Sequence, residues 1–89
     1  MPGPFGKLIG GTFVVSAPTQ LTTVPQSVGS VLVQNDPSST TNLIVGGVTG
    51  QWIVLGPGDS EEIRVSSPTL VYVTNATGTP TCNWLAEAS

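Results

Sequence analysis

The chain has 89 residues and a mass of 9.1 kDa, which is enough for one hydrophobic core and therefore for one domain. Lys7 and Arg64 are its only cations, and five acidic residues bring the net charge to -3, so binding to a phosphate backbone has no electrostatic source. Histidine is absent and Cys82 is the single cysteine, which excludes imidazole chemistry and an intrachain disulfide. We therefore expect no nucleic-acid partner, no cofactor and no enzymatic activity.

The residue usage is typical of an all-β protein. Valine, threonine and isoleucine together supply 28 of the 89 residues, and glycine and proline supply another 19. Charged residues make up 8% of the chain, against roughly 25% in a typical soluble domain. The surface must therefore be largely neutral, which favours close contact with other protein.

The sequence also lacks the usual signals for a membrane or for export. No run approaches the roughly 18 apolar residues that a membrane span needs. The start, Met1-Pro2-Gly3-Pro4, has neither the basic nor the apolar region of a signal peptide. We expect a soluble protein that is made in a cytoplasm and has no membrane partner.

Residues 1–11 carry four glycines and two prolines and show no strand periodicity, so we expect an extended N-terminal arm. Its apolar side chains, Phe5, Leu8 and Ile9, have no periodic place in a local sheet. We predict that the arm binds a neighbouring chain through these three side chains and through main-chain hydrogen bonds. Residues 12–89 are then the single folded domain.

Residues 12–89 consist of short apolar runs separated by turn residues. Asp36-Pro37-Ser38-Ser39 is a turn cluster, and Pro57-Gly58 suits the central positions of a type II turn. Strands are predicted near 12–16, 19–24, 28–35, 42–48, 51–56, 60–66, 69–75 and 80–86. This spacing favours a small antiparallel β-sandwich or a jelly-roll-like barrel of seven or eight short strands.

Several of these runs are apolar on both faces. In the run 60–65, Ile63 and Val65 alternate with Glu62 and Arg64, as expected of a strand with one face in water. The runs 31–33, 43–45, 52–55 and 70–73 are apolar throughout, although a two-layer sandwich has only one inner face per sheet. Their second faces need a cover from the arm, a long loop or another subunit, and we favour another subunit.

Three motifs follow one another from residue 21 onward, and a closing strand follows them. They are Val31-Leu32-Val33-Gln34-Asn35, Asn42-Leu43-Ile44-Val45-Gly46-Gly47 and Leu55-Gly56-Pro57-Gly58-Asp59-Ser60, and the closing strand is Leu70-Val71-Tyr72-Val73. This order resembles a type of small virion protein found in tailed bacteriophages, over about three quarters of the chain. The Gly/Pro arm and the C-terminal strand with Trp84 depart from that type.

The resemblance implies a small β-sandwich or jelly-roll subunit without catalytic residues that decorates, cements or completes the virion. Its partner would be the major capsid protein or another virion protein, and its place the outer surface of the head rather than the tail. Closed symmetric oligomers are the simplest way to cover second sheet faces and unpaired edges, so we also expect a homo-oligomer. The resemblance implies three-fold positions, which suggests a trimer.

The acidic residues of the 59–62 segment are the one cluster that suggests site chemistry. Glu61 and Glu62 are neighbours in a strand and point to opposite faces, so they make a poor catalytic pair. Asp59 and Glu61 share a face, but a calcium site needs six to eight oxygen ligands. We expect no metal ion here, and we interpret Asp59 as the residue that caps the turn.

The large aromatic residues have three alternative roles. Trp52, Trp84 and Tyr72 suit a stacking platform for a sugar, anchors at a protein interface, or the core of a small sandwich. We favour Trp84 as the interface anchor, because it lies on the mixed segment 81–85 near the C-terminus. Cys82 shares a strand face with Trp84, and we expect it to be buried and unreactive.

Two functions of different classes follow from these observations. The first is a non-enzymatic capsid decoration or cement subunit. The alternative is a recognition module at a fibre or spike tip, which would bind a host surface glycan through Trp84 or Trp52 and neighbouring amides. The alternative predicts an exposed aromatic side chain flanked by Asn or Gln.

Overall fold

The computed structural model describes residues 7–88, and in them the chain forms eight strands and one turn of 3-10 helix. The helix spans Pro68–Leu70. The strands, in chain order, are β1 Leu8–Val14, β2 Thr19–Gln20, β3 Val28–Asn35, β4 Leu43–Gly47, β5 Gly50–Leu55, β6 Ser60–Ile63, β7 Tyr72–Asn75 and β8 Thr81–Ala88. The prediction of an all-β fold with seven or eight short strands is confirmed.

The strands form two four-stranded sheets in which every pairing is antiparallel. The strand order is β1-β8-β3-β6 in one, which we call sheet A, and β2-β7-β4-β5 in the other, sheet B. Strands that follow each other in the chain mostly lie in different sheets, so the chain passes back and forth between the two layers. This order is that of a jelly roll, the double-sheet fold built from two Greek keys.

The core lies between the inner faces of the two sheets. Alternation along β3 and β8 turns every second side chain inward, so Val31 and Val33 meet Trp84 and Ala86 in one layer. Leu43 and Val45 of β4 and Val73 of β7 supply the opposite layer. Ile63 and Val65 pack against this cluster, as the alternation of the run 60–65 predicts.

The N-terminal prediction needs correction. Leu8–Val14 pairs with β8 of the same chain, from Leu8 opposite Glu87 to Val14 opposite Thr81, so residues 8–11 belong to the body and not to an arm. Glycine makes this pairing possible, because a Cβ on Gly10 would collide with the carbonyl oxygen of Trp84. Residues 1–6, which include Phe5, and residue 89 lie outside the described residues.

The turn between β5 and β6 has the predicted chemistry. The Asp59 amide donates to the carbonyl of Gly56 at 2.9 Å, and Gly58 has φ +88°, the left-handed conformation that position i+2 of a type II turn requires. The Asp59 carboxylate accepts from the Gly56 amide at 3.0 Å. Asp59 therefore closes the turn, as expected.

Asn35, at the end of β3, is the one buried polar side chain of the described core. Its Nδ2 donates to the carbonyls of Thr41 and Leu55, both at 2.9 Å, and its backbone bonds to Gly58 and Asp59. Asn35 thus ties the end of β5 and the β5–β6 turn to sheet A. Its Oδ1 has no partner within residues 7–88, although it is fully buried.

Candidate interaction surface

Trp84, the predicted interface anchor, lies in the core. Its side chain is 9% exposed, because alternation along β8 turns it inward on the same face as Cys82 and Ala86. A Cβ on Gly11, its partner on β1, would lie 3.2 Å from the indole Nε1, so glycine makes room for the ring. Trp84 is therefore a core residue. Of the other predicted contacts, Ile9 is partly buried and Leu8 is exposed.

Trp52 is the exposed tryptophan, with 71% of its surface accessible. Val45 pairs with Ile53 and Gly46 with Gln51, so Trp52 is the extra residue of a β-bulge in β5. Glycines accommodate this arrangement: a Cβ on Gly50 would lie 2.7 Å from the Trp52 ring, and one on Gly46 would collide with the Gly50 carbonyl. The bulge lies beside the Gly46-Gly47 pair of β4.

Within residues 7–88, strand β5 is a free edge of sheet B, and its exposed side chains are apolar. Val48 in the preceding turn is 73% exposed, Val54 57% and Ile53 36%. We call the surface formed by Val48, Trp52, Ile53 and Val54 the β5 edge. Residues 48–55 contain no charged residue and no proline, the two devices that most often protect an edge strand from pairing with another chain.

The other free edges differ from the β5 edge. Strand β6, the far edge of sheet A, carries Glu61 and Glu62, both exposed. Strand β2 is only two residues long, and a short edge offers little to pair with. Strand β1 is uncharged over Leu8–Val14, with Leu8 and Val14 exposed at its two ends and glycines at its centre. Among the described edges, only β5 combines an uncharged strand with an exposed aromatic side chain.

The outer faces of the sheets are only partly apolar. On sheet A, Leu32 and Leu85 are neighbours across β3 and β8 and line a shallow depression of about 220 Å³ with Gln34, Ser60 and Asn83. On sheet B, Ile44 and Tyr72 are partly buried. The expectation that a subunit covers these faces stays a prediction. Four of the ten exposed large apolar residues within residues 7–88 lie at the β5 edge.

A hydrogen-bonded row of polar side chains lies on the outer face of sheet A. Asn83 accepts from the Thr12 hydroxyl at 3.0 Å and donates to Gln34 at 3.0 Å and to Asp36 at 2.9 Å. Hydrogen bonds from the Ser38 hydroxyl, from Asn83 and from the Ser38 amide hold the pKa of Asp36 below its usual value. These amides already bond to one another, so the row stabilises the sheet and offers few free groups to a ligand.

The acidic segment shows no arrangement suited to a metal. The Asp59 carboxylate is turned back onto its own loop, and Glu62 accepts a hydrogen bond from the Ser30 hydroxyl at 2.7 Å. Residues 7–88 contain no group of three or more His, Cys, Asp or Glu placed to hold a metal ion. Glu61 lies opposite Val33 and Glu62 opposite Leu32, so the two carboxylates lie on opposite faces of β6, as the strand pattern indicates.

Cys82 is fully buried, as predicted. Burial raises the pKa of its thiol to about 12. The thiolate is the form that acts as a nucleophile, and it is scarce at neutral pH at such a site. Cys82 therefore contributes to core packing beside Asn35, the residue opposite it on β3.

The sequence predicts that 52–55 is apolar on both faces but does not place this run at an edge. Edge position depends on pairing between distant segments, which the run itself does not encode.

A search against protein-family models, curated proteins and solved structures finds no match to this chain. Across residues 7–88 there is no helix with the length and apolar character needed to cross a membrane.

Proposed function

We propose that this protein is a non-enzymatic structural subunit of a tailed-bacteriophage virion, of the decoration or cement type. It acts through protein–protein contacts on the outer surface of the head, where its partner is the major capsid protein or another virion protein. The β5 edge is the observation that supports this proposal best, because an uncharged apolar edge strand is a surface built for association with protein.

The fold is compatible with this role but does not distinguish it from other roles. Jelly rolls occur in viral capsid proteins and also in lectins and cupins, so the topology alone does not choose among these functions. The chemistry of the surface favours the structural role. Charged residues are 8% of the chain, and a weakly charged body meets little electrostatic opposition when it packs closely against a lattice.

The mechanism of a cement protein is mass action. A subunit that binds the assembled lattice and not the free coat protein lowers the free energy of the lattice by RT ln(1 + [L]/Kd) for each site. At a free concentration of about 100 times Kd, this amounts to about 2.7 kcal/mol for each site. Many sites acting together make the particle withstand heat and low salt.

Particles provide the test of this proposal. Particles from cells that carry the gene are purified beside particles from a deletion strain, and both are heated at low salt. We expect the protein in the purified particles by mass spectrometry, and a lower temperature of DNA release from the deletion particles. Equal resistance of the two preparations would remove the cement function, and absence of the protein from the particles would remove the virion setting.

A second candidate function rests on Trp52. An exposed indole beside an amide side chain is a feature of sugar-binding sites, and Gln51 precedes Trp52 in β5. The Gln51 Nε2, however, already donates to the Gly47 carbonyl at 2.7 Å, so this amide is engaged within its own hairpin. A glycan array that compares the native protein with Trp52→Ala tests the idea. Binding lost in the variant would support recognition, and no binding by the native protein would remove it.

A further inference from the structure

We propose that strand β5 pairs in antiparallel fashion with β5 of a second copy of this chain, so that two B sheets join into one eight-stranded sheet. This inference deepens the proposed function, because it names a partner for the β5 edge, and it rests on that edge being an association surface. It does not depend on the virion setting. The interface it describes is isologous, since the same patch serves both copies.

The bulge sets the register of this pairing. Trp52 interrupts the regular strand, so the flat part of the free edge is the segment 53–55, beyond the bulge. An antiparallel pair of identical three-residue segments is centred on its middle residue. Val54 then faces Val54 of the second copy across the two-fold axis, and Ile53 faces the second copy's Leu55. The indole of Trp52 lies beside this short ladder.

The exposed area fits a weak and reversible dimer. From their exposed fractions, the three side chains at the paired segment, Trp52, Ile53 and Val54, offer on the order of 300 Å² of apolar surface per copy. A standard stable interface takes about 800 Å² from each partner, and weak encounters take less than about 600 Å². The β5 edge therefore falls in the range of weak encounters.

Charge favours self-association at this edge over the other edges. No charged residue lies in 48–55, so two copies meet without like charges opposite each other. At β6, the same pairing would bring Glu61 and Glu62 of both copies together. Pairing of β5 with β5 occupies this edge in both copies, so assembly through it stops at a dimer. A trimer would need a second contact surface in addition to β5.

The test uses a charge at the two-fold axis. Sedimentation velocity over a concentration series from about 10 to 500 μM is run on the native protein, on Val54→Lys and on Val14→Lys. Val14 is the matched control, because it is also an exposed valine on an uncharged edge strand, 62% exposed against 57% for Val54. We expect a native dimer, a dimer constant weakened roughly tenfold or more in Val54→Lys, and no change in Val14→Lys.

A mixing experiment tests the symmetry itself. Val54→Glu alone should also be monomeric, and an equimolar mixture of Val54→Lys with Val54→Glu should recover the dimer, because opposite charges then face each other across the axis. Circular dichroism checks that each variant is folded, and Val54→Arg or Val54→Asp replaces a Lys or Glu variant that is not, because the charge must stand at residue 54 to lie on the axis. A monomeric native protein, equal effects of Val54→Lys and Val14→Lys, or no recovery on mixing would each overturn the proposal.

The proposed dimer and the proposed virion function can fail independently of each other. A protein that is monomeric in solution but remains on purified particles would keep the virion role and assign the β5 edge to a coat-protein contact. A protein that dimerises as described but is absent from particles would keep the dimer and remove the virion role.

Discussion

Strands β5 and β6 are consecutive, both are free edges, and one four-residue turn joins them, yet they are built from opposite chemistry. Ile53 of β5 faces inward opposite the core residue Val45, and Glu61 of β6 faces inward opposite the core residue Val33. On the outer side, Val54 corresponds in the same way to Glu62. These two apolar positions on β5 are acidic positions on β6.

This difference shows how a small sandwich can control which edge meets other protein. An inward-pointing carboxylate at the rim of the core must be desolvated when another strand pairs with that edge, so Glu61 opposes pairing at β6. Ile53 and Val54 gain from the same event, because their exposed surface is removed from water. We therefore expect association with other protein at β5 and none at β6.

The largest expected effect comes from the residue that holds the two edges together. Asn35→Ala removes both donors to the Thr41 and Leu55 carbonyls and should lower the free energy of unfolding by about 3–5 kcal/mol. Urea denaturation measures this value. Asn75→Ala is the control, since its amide makes a single exposed bond to the Gly78 carbonyl and its loss should cost about 1 kcal/mol or less. Equal costs would show that Asn35 does not clamp the turn.

The turn between the edges gives the next effect. Gly58→Ala places a Cβ at φ +88° and should cost about 1–2 kcal/mol of stability, because L-residues are strained in that conformation. Thermal unfolding measures the loss. Gly29→Ala serves as its control, because a Cβ there meets no atom within 4 Å, and we expect a change within about 0.5 kcal/mol. A neutral Gly58→Ala would contradict the type II turn.

Alkaline pH tests whether the core around Cys82, next to Asn35, stays closed to water. The folded-state pKa of Cys82 lies above its ordinary value of 9.0, at about 12, so its contribution to stability is complete below pH 9 and is lost as pH rises toward 12. At pH 10 the loss should be about 1 kcal/mol. Cys82→Ala should remove that part of the decline between pH 8 and pH 10 in urea denaturation. An identical decline in both proteins would place the thiol in water.

The smallest effect on stability, and a clear one on association, concerns the acidic edge. Replacing Glu61 and Glu62 by valine should change the free energy of unfolding by less than about 0.5 kcal/mol for each residue, because both side chains are exposed. The variant should form species larger than the dimer, since it has two apolar edges. Light scattering measures the mass. Glu87→Val removes one acidic charge from β8, which is paired on both sides, and should leave the mass unchanged.

Local chemistry made much of the fold predictable. Val and Thr content, the Pro57-Gly58 turn and the alternation of Ile63 and Val65 with polar residues all act over a few residues, and the predicted strands match the observed ones within a few residues. Residues 8–11 of β1 were wrongly assigned to an arm, because their pairing depends on β8, more than 70 positions away, and on glycines that resemble a flexible arm when read alone.

The candidate surface was predictable only in part, for the same physical reason. The sequence shows that 52–55 is apolar on both faces, but whether that run is central or at an edge depends on which strands lie beside it. The same applies to the two tryptophans. Trp84 points inward because side chains alternate regularly along β8, while the bulge at Trp52 interrupts this alternation in β5.

Amide-resolved NMR over a concentration series tests most directly the central claim that the apolar edge associates and the acidic edge does not. Two-dimensional spectra of the labelled native protein are recorded from about 10 to 500 μM. We predict concentration-dependent shifts at residues 52–55, together with the Trp52 indole, while the amides of 60–63 stay constant. Shifts centred on β6 or on the outer face of sheet A, or no shifts at all, would contradict the account.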